Sequence, residues 1–579
     1  MTLRGIFQLK IIALRNLTRH KVKTVITMLA ITVSVALYIY MDGMISGMSV
    51  ESRRNIVNYE IGAAKLQTKI YFEKKDELPS YENFSGWETY ADILDEAGYN
   101  AAPRFVFSGT MYSSRGSAPI IFHGVDPQAE AKVLRYTPYM EFGRYIRSGA
   151  IELALGTMAA EKLKVGIPSR PYTKELSELA ESVSFNQEEK DFILSLYEPL
   201  EVTYSLFVAG EKSSAGNARM VLKKNIPQAD MRRWWDILDR SGRNDVQISA
   251  VIDIKAAPEK IRSDKWEGEL MPALSVEEQT LMMEAYQYDE LMDIYLINED
   301  VEADQAMAGR VLEAMIRGGF SGAVRHVNQL FSAIVVGVVN SPDPVTNANT
   351  AYIPLDVLQG EEGMMLEGHI TEILIRHKNG TEAELPGKNE SAAAITTALE
   401  QGLAKLGMNF PPELAIFTWM DYVRDYIGYE QLENSATKVL SGLLLLLAFL
   451  GISNTILLAI LERTKEIGMM RAMGMTDSQM ILVYMLEAGF LGFFGSILGI
   501  GAGCLLNYPM VKYGIDVSAM GEALGGGVGF RVTTLFRSMW NYPVIIGSGI
   551  AATILSSFMA FFPTRRAIKM PITDSLRFE

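Results

Sequence analysis

LERTKEIGMMRAMGMTDS, residues 461–478, is a short polar and amphipathic segment set between two strongly apolar runs, and its position decides how the chain is read. Upstream, residues 439–460 are almost wholly apolar, their only polar side chains small or amide, and are long enough to cross hydrocarbon as a helix. Residues 480–506 repeat that pattern downstream. Two further runs, 542–562 and 22 to about 45, complete four candidate spans, one before and three after a long polar segment. The expected fold class is a membrane protein of four transmembrane α-helices, with a large α+β extracytoplasmic domain inserted between helices 1 and 2.

The expected boundaries are 1–21 for a cytoplasmic or interfacial amphipathic helix and 22–46, 438–460, 479–506 and 542–563 for the spans. Residues 47–437 form the inserted domain, in two subdomains with an elaboration at about 168–300. Residues 461–478 lie on the inner side, 507–541 form an outer loop and 564–579 a cytoplasmic tail. The first run is too long for a cleaved secretory signal and lacks a small-residue cleavage site after it, so it is expected to be retained as an anchor.

Basic residues set the orientation. Arg4, Lys10, Arg15, Arg19, Lys21 and Lys23 precede the first span with no acidic residue among them, which places the N-terminus in the cytoplasm. Four spans return the chain to the same side, where Arg565, Arg566, Lys569 and Arg577 follow, and the loop from Arg463 to Arg471 shares that side. The expected location is the bacterial inner membrane, with the large domain periplasmic. The net charge of -14 then belongs to an extracytoplasmic surface and speaks against nucleic-acid binding.

Cys504 is the one cysteine and lies in the third span, so the inserted domain has no disulfide and no cysteine-based zinc site. Within that domain, residues 99–126 alternate apolar and β-branched runs with turn residues and end in PIIFHGVDP, a buried strand and a turn. Helices are expected at 153–163 and 304–317, and strands at 333–339 and 370–376. The five histidines, His20, His123, His326, His369 and His377, form no metal-binding spacing, and there is no nucleophile elbow, so no catalysis is expected on this chain. A phosphate-binding G-x-x-x-x-G-K-[ST] run is also absent.

If residues 462–473 are helical, Ile467, Met470 and Met473 form an apolar stripe beside Arg463, Glu466 and Arg471. Such a stripe fits a groove on another protein, with methionine adapting as the partner changes shape; a surface helix against lipid headgroups is the alternative. The first span continues as MDGMISGM, where Met41, Met44, Ile45 and Met48 share one face and could line a cavity for acyl chains, or simply pack. Glu487 lies inside the third span, where an ionised carboxylate is costly, and is expected to be neutral and hydrogen-bonded to a neighbouring helix. Gly492, Gly495, Gly499 and Gly503 offer small-residue spacing for close helix packing.

The layout, with Glu466-Ile467-Gly468-x-x-Arg471-Ala472-x-Gly474 between spans, resembles the FtsX-like and MacB-like permeases of ABC transporters, and within them the lipoprotein-releasing LolC/LolE type. RNLTRHKVKT at 15–24, GVDP at 124–127, LALGTMAAEKLKVG at 153–166 and PTRRAIKMPITDSLR at 563–577 carry the same resemblance. It implies a MacB-like periplasmic core domain and a coupling helix seated on an ATPase, drawn on Arg463, Glu466, Ile467, Gly468, Met470, Arg471, Met473 and Gly474. ATP and Mg would be bound by a separate ABC ATPase dimer, with no cofactor on this chain. The implied partners are a second, identical or different, permease chain, a lipoprotein or other amphiphilic cargo, membrane lipids and a periplasmic chaperone. Efflux of peptides or hydrophobic small molecules, and an FtsX-like scaffold regulating a cell-envelope hydrolase, are the alternatives.

Overall fold

Lys21–Asn55 forms one unbroken helix, α1, because no proline interrupts it and its charged residues are confined to the ends apart from Asp42. It outruns the span expected to end at residue 46. The computed structural model describes residues 10–15, 17, 21–167, 185–199, 220–223, 226–240, 242–298, 300–301, 304–360, 364–424, 464–516 and 535–569, with isolated residues between 427 and 443. The chain divides into two compact units, one of residues 1–53 and 423–579, the other of residues 54–422.

Three helical stretches among the described residues are long and apolar enough to cross a membrane: Thr24–Ile61, which begins in the first unit, and Asp477–Lys512 and Tyr542–Ile568, which lie within it. The expected span at 438–460 lies outside the described residues. A short helix, Thr464–Ala472, precedes the one that begins at Asp477. The helix over Asp477–Lys512 packs on α1 through its glycines. A Cβ on Gly495 would lie 3.0 Å from the Ile31 Cβ, one on Gly499 2.8 Å from the Val35 Cβ, and one on Gly503 3.1 Å from the Ala36 Cα. Gly492 meets the last span instead, at Ser556 and Thr553. Between apolar helices in lipid, such close backbone approach replaces a hydrophobic driving force. Thr32 Oγ1 donates to the Gly495 carbonyl at 3.0 Å and Ser557 Oγ to that of Met485 at 3.0 Å, adding interhelical hydrogen bonds.

The second unit is built on a ten-stranded mixed sheet. Its strands are β1 (Ala64–Thr68), β2 (Tyr99–Ser113), β3 (Ser117–Val125), β4 (Met140–Gly143), β5 (Glu152–Gly156), β6 (Asp245–Lys255), β7 (Val324–Val339), β8 (Thr350–Pro354), β9 (Glu372–His377) and β10 (Leu414–Thr418). The path β10-β1-β9-β2-β3-β8-β5-β7-β4 is supplemented by β6, which pairs with both β7 and β2. Strands β2, β3, β8, β5, β7 and β6 therefore pair in a closed ring. Alternate residues, including Phe107, Met111, Ile120, Phe122, Ile248 and Phe331, share one buried cluster, while Ser108, Tyr112, Ile121, Gln247 and Leu330 between them are exposed. The Phe107 and Phe122 rings stack at 4.9 Å.

The expected helix at 153–163 is corrected: Glu152–Gly156 is strand β5, and only Thr157–Leu163 is helical. Leu153, Ala154 and Leu155 are all fully buried, and a strand covered on both faces has no alternation to separate it from a buried helix. The elaboration at about 168–300 is also divided. Its strand β6 belongs to the main sheet, whereas residues 256–323 form a satellite around Trp266, Leu270, Met282 and Val311 with a three-stranded sheet of its own. The helix expected at 304–317 is present as Gln305–Arg317, with the Asp304 carboxylate accepting from the N–H groups of Ala306 and Met307. The strands expected at 333–339 and 370–376 are the end of β7 and most of β9.

An ionic network lies inside this unit. Lys65 donates to both Glu372 oxygens at 2.8 and 2.9 Å. Arg104 pairs with Glu130 and stands 3.9 Å from Glu372, and Tyr145 donates to Glu130 at 2.9 Å. Glu130 is fully buried and Arg104 and Glu372 nearly so, so each charge depends on its partners. The network joins β1, β2 and β9 to the helix Pro127–Val133, at the corner where the chain enters and leaves the unit.

Candidate functional site

Residues 464–479 fold as a short helix, a tight turn and the start of the next helix. Thr464–Ala472 is helical, and Gly474 follows with φ +97°. The Gly474 N–H donates to the Arg471 carbonyl at 3.0 Å and the Met475 N–H to that of Met470 at 3.1 Å. This is the doubly bonded Schellman ending, which needs a left-handed residue where glycine stands. Its accompanying apolar contact is supplied by Met470 and Met475, both packed on the same cluster. Thr476 then opens the next helix with a reciprocal cap: Gln479 N–H donates to Thr476 Oγ1, and the Thr476 N–H to Gln479 Oε1 at 2.9 Å. Arg471 reaches Asp477 across the turn at 3.3 Å.

The face of this helix differs from the expected stripe. Ile467 is 1% exposed, in a cluster with Met480, Tyr484, Ala567 and Ile568, and Met470 packs against the same cluster. Ile467 is therefore buried within its own unit, and Met470 is half-buried against the same cluster. Gly468 is buried, and Glu466 and Arg471 are half-buried and engaged within the chain. The outward residues are Lys465, Met469, Ala472 and Met473, with Met469 50% and Met473 79% exposed. Arg463 lies outside the described residues. Lys465 and Met469 were missed because the stripe of Ile467, Met470 and Met473 was assigned outward, whereas Ile467 and Met470 face the span cluster. The apolar run Met469-Met470 on adjacent positions was the available signal that two faces of the helix carry methionine.

The methionines of α1 are not gathered into one cavity among the described residues. Met41 is exposed, and Met44, Ile45 and Met48 are half-buried. The tightly packed face is that of Gly43 and Gly47, which meet Arg537, Ser538 and Met539 closely enough that a Cβ on Gly47 would lie 2.2 Å from the Arg537 carbonyl oxygen. Asn507 and Ser538 bond each other there at 2.5 Å, and Asn541 donates to Asp42 at 2.8 Å. The small-residue spacing of Gly43 and Gly47 signals this contact in the sequence. Glu487 is half-buried and engaged within the structure. Among the described residues no group of three or more His, Cys, Asp or Glu side chains is placed to hold a metal.

Comparison with known proteins bears on this same region. Residues 438–572 match the FtsX-like permease C-terminal family. An uncharacterised ABC transporter permease of Methanocaldococcus jannaschii is 26% identical over 255 residues, which cover 42% of this chain and 55% of that protein. The lipoprotein-releasing system transmembrane protein LolC of Neisseria meningitidis serogroup B is 24% identical over 28% of this chain and 39% of its own length. The macrolide export ATP-binding/permease protein MacB of Chromobacterium violaceum is 26% identical over 42% of this chain and 33% of its own. The matches thus span about half or less of these relatives.

Proposed function

From an FtsX-like permease C-terminal domain at residues 438–572, in a chain that resembles FtsX/MacB-type ABC transporter permeases, we propose that this protein is the non-catalytic permease subunit of an ABC transporter. A separate ATPase dimer hydrolyses ATP, with its Mg ion, and drives the permease through the helix Thr464–Ala472. The observation that carries this reading is the two-sided construction of that helix: Ile467 and Met470 anchor it to the spans while Met469 and Met473 stand outward. A load taken on the outward methionines passes into the span cluster through the buried ones. The chain pairs with a second permease chain, since a dimeric ATPase presents two seats.

The cargo is a lipoprotein or another amphiphile moved outward from the inner membrane. Withdrawing one acyl chain of about fifteen methylenes exposes roughly 12 kcal/mol of apolar burial, so release needs both ATP and an apolar shelter. MacB-like efflux of a hydrophobic small molecule is the second reading, supported by the 42% of this chain that MacB of Chromobacterium violaceum matches, while three other MacB proteins match 23–27% of it, no more than the 28% of LolC.

Purification of the tagged, detergent-solubilised chain from its own host tests both. The wild type should bring down an ABC ATPase and acylated peptides, and Met469→Asp with Met473→Asp should lose the ATPase. Retention of the ATPase by the double variant would remove the coupling assignment. A hydrophobic small molecule in place of lipoprotein would select efflux, and an envelope hydrolase without cargo would select the scaffold.

A further inference from the structure

The ring of strands has a concave outer surface at one end, where β2, β6 and β7 run side by side. The register places Tyr112 opposite Gln247 and Gln247 opposite Ser332, and in the next row Asp245 opposite Ile334. Side chains at these positions point away from the buried cluster, over the buried Val246 and Ala333. Together with Ser114 they line a cavity of about 760 Å³, within the range usual for small-molecule sites. Ser113, at its wall, is already used: its hydroxyl accepts from the N–H groups of Arg115 and Gly116 and donates to the Leu163 carbonyl. By contrast, the side chains of Tyr112, Ser114, Asp245, Gln247 and Ser332 have no hydrogen-bond partner among the described residues.

The chemistry of the lining selects the ligand. Among the described lining residues Asp245 is the one charged side chain, so the cavity disfavours anions. Each of β2, β6 and β7 is paired on both sides at this level, so no open edge exists for a peptide strand to extend. What remains is a set of hydroxyl, amide and carboxylate groups beside the ring of Tyr112 and the side chains of Ile151 and Ile334. A ligand that matches has many hydroxyls and one apolar face, which describes a pyranose.

We propose that this cavity is a saccharide-binding site, with one sugar ring lying on Tyr112 and its hydroxyls bonded by Gln247, Ser332 and Asp245. The site rests on the register of three strands and not on the permease reading.

The test uses the full chain in lipid nanodiscs, free of detergents with sugar headgroups. Saturation-transfer NMR and calorimetry are run with cellobiose, maltose and the N-acetylglucosamine dimer. At least one disaccharide should bind, and Tyr112→Ala, Gln247→Ala and Asp245→Asn should each weaken it tenfold or more with unchanged thermal unfolding. Tyr112→Phe, which keeps the ring face, should retain most of the affinity. Absence of binding by all three sugars, or equal binding by the wild type and the three weakening variants, would each overturn the assignment.

Discussion

At the scale of single residues, two positions show how little room the chain leaves for change. Gly499 sits where α1 and the Asp477–Lys512 helix nearly touch, with Val35 and the Thr32 carbonyl oxygen 2.8 and 2.9 Å from where a Cβ would stand. Gly499→Val should therefore separate the helices and cost about 1–3 kcal/mol, read as a lower unfolding temperature of the solubilised chain. Gly501→Ala, two residues on and with nothing within 4 Å, is the internal control and should be neutral or slightly stabilising. His123 makes a different demand. Its ring stacks on Tyr352 at 5.5 Å, and its Nδ1 is buried without a hydrogen-bond partner. Burial, reinforced by the cations of Arg104 and Lys65, holds this imidazole well below the usual histidine range. The unfolded chain thus takes up a proton near pH 6.5 that the folded chain refuses, and stability falls as pH drops below that value, by up to about 1.4 kcal/mol per unit. Urea unfolding followed by tryptophan fluorescence at pH 7.5 and pH 5.5 should show a smaller acid loss for His123→Phe than for the wild type. An equal loss would assign the acid sensitivity elsewhere.

At the scale of elements, the turn between Ala472 and Asp477 fixes how the outward methionines are presented. Gly474→Ala forces a side chain into left-handed backbone and should destabilise the turn by about 1–2 kcal/mol. It should weaken ATPase capture without removing any outward contact, and addition of Thr476→Ala, which deletes the adjoining cap, should weaken it further. Full capture by the glycine variant would mean that the helix finds its seat without this turn. Elements of this kind were legible in the sequence. The long apolar helices Thr24–Ile61, Asp477–Lys512 and Tyr542–Ile568 were visible as apolar runs, the helix Gln305–Arg317 through its periodicity, and the strands of residues 99–126 through alternation. The signals that failed share a cause: periodicity reports that a residue is buried, not what buries it. Ile467 and Met470 formed a true apolar stripe, but its partner was the chain's own span cluster. Leu153 to Leu155 were buried on both faces and read as helix, and β6 was hidden within a charged stretch because its alternation, with Val246, Ile248, Ala250 and Ile252 inward, was taken for elaboration. The candidate sugar cavity left no trace in the sequence, since Tyr112, Asp245, Gln247 and Ser332 meet only through the register of three strands.

At the scale of the whole molecule, the second unit has the construction of an insertable domain. The first and last strands, β1 and β10, pair antiparallel with Ala64 opposite Thr418, and the Trp419 N–H donates to the Ala63 carbonyl at 3.0 Å. The two ends of residues 54–422 therefore leave side by side, as domains inserted into a host chain commonly do. Its core is carried by the strand ring and its covering helices, and its buried charges are matched inside the unit by Lys65, Arg104, Glu130 and Glu372. Residues 54–422 expressed alone should consequently be soluble, monomeric and cooperatively folded, with one urea transition by fluorescence and circular dichroism. Within that fragment Arg104→Met should lower stability by about 3–5 kcal/mol, because it leaves Glu130 and Glu372 buried without their shared cation. A fragment that aggregates would show that the spans are needed for this unit to fold; a folded fragment indifferent to Arg104→Met would show that the two carboxylates are compensated from elsewhere. A fragment that folds and responds would mean that the ion network, at the corner where both chain ends emerge, is part of what holds the unit together.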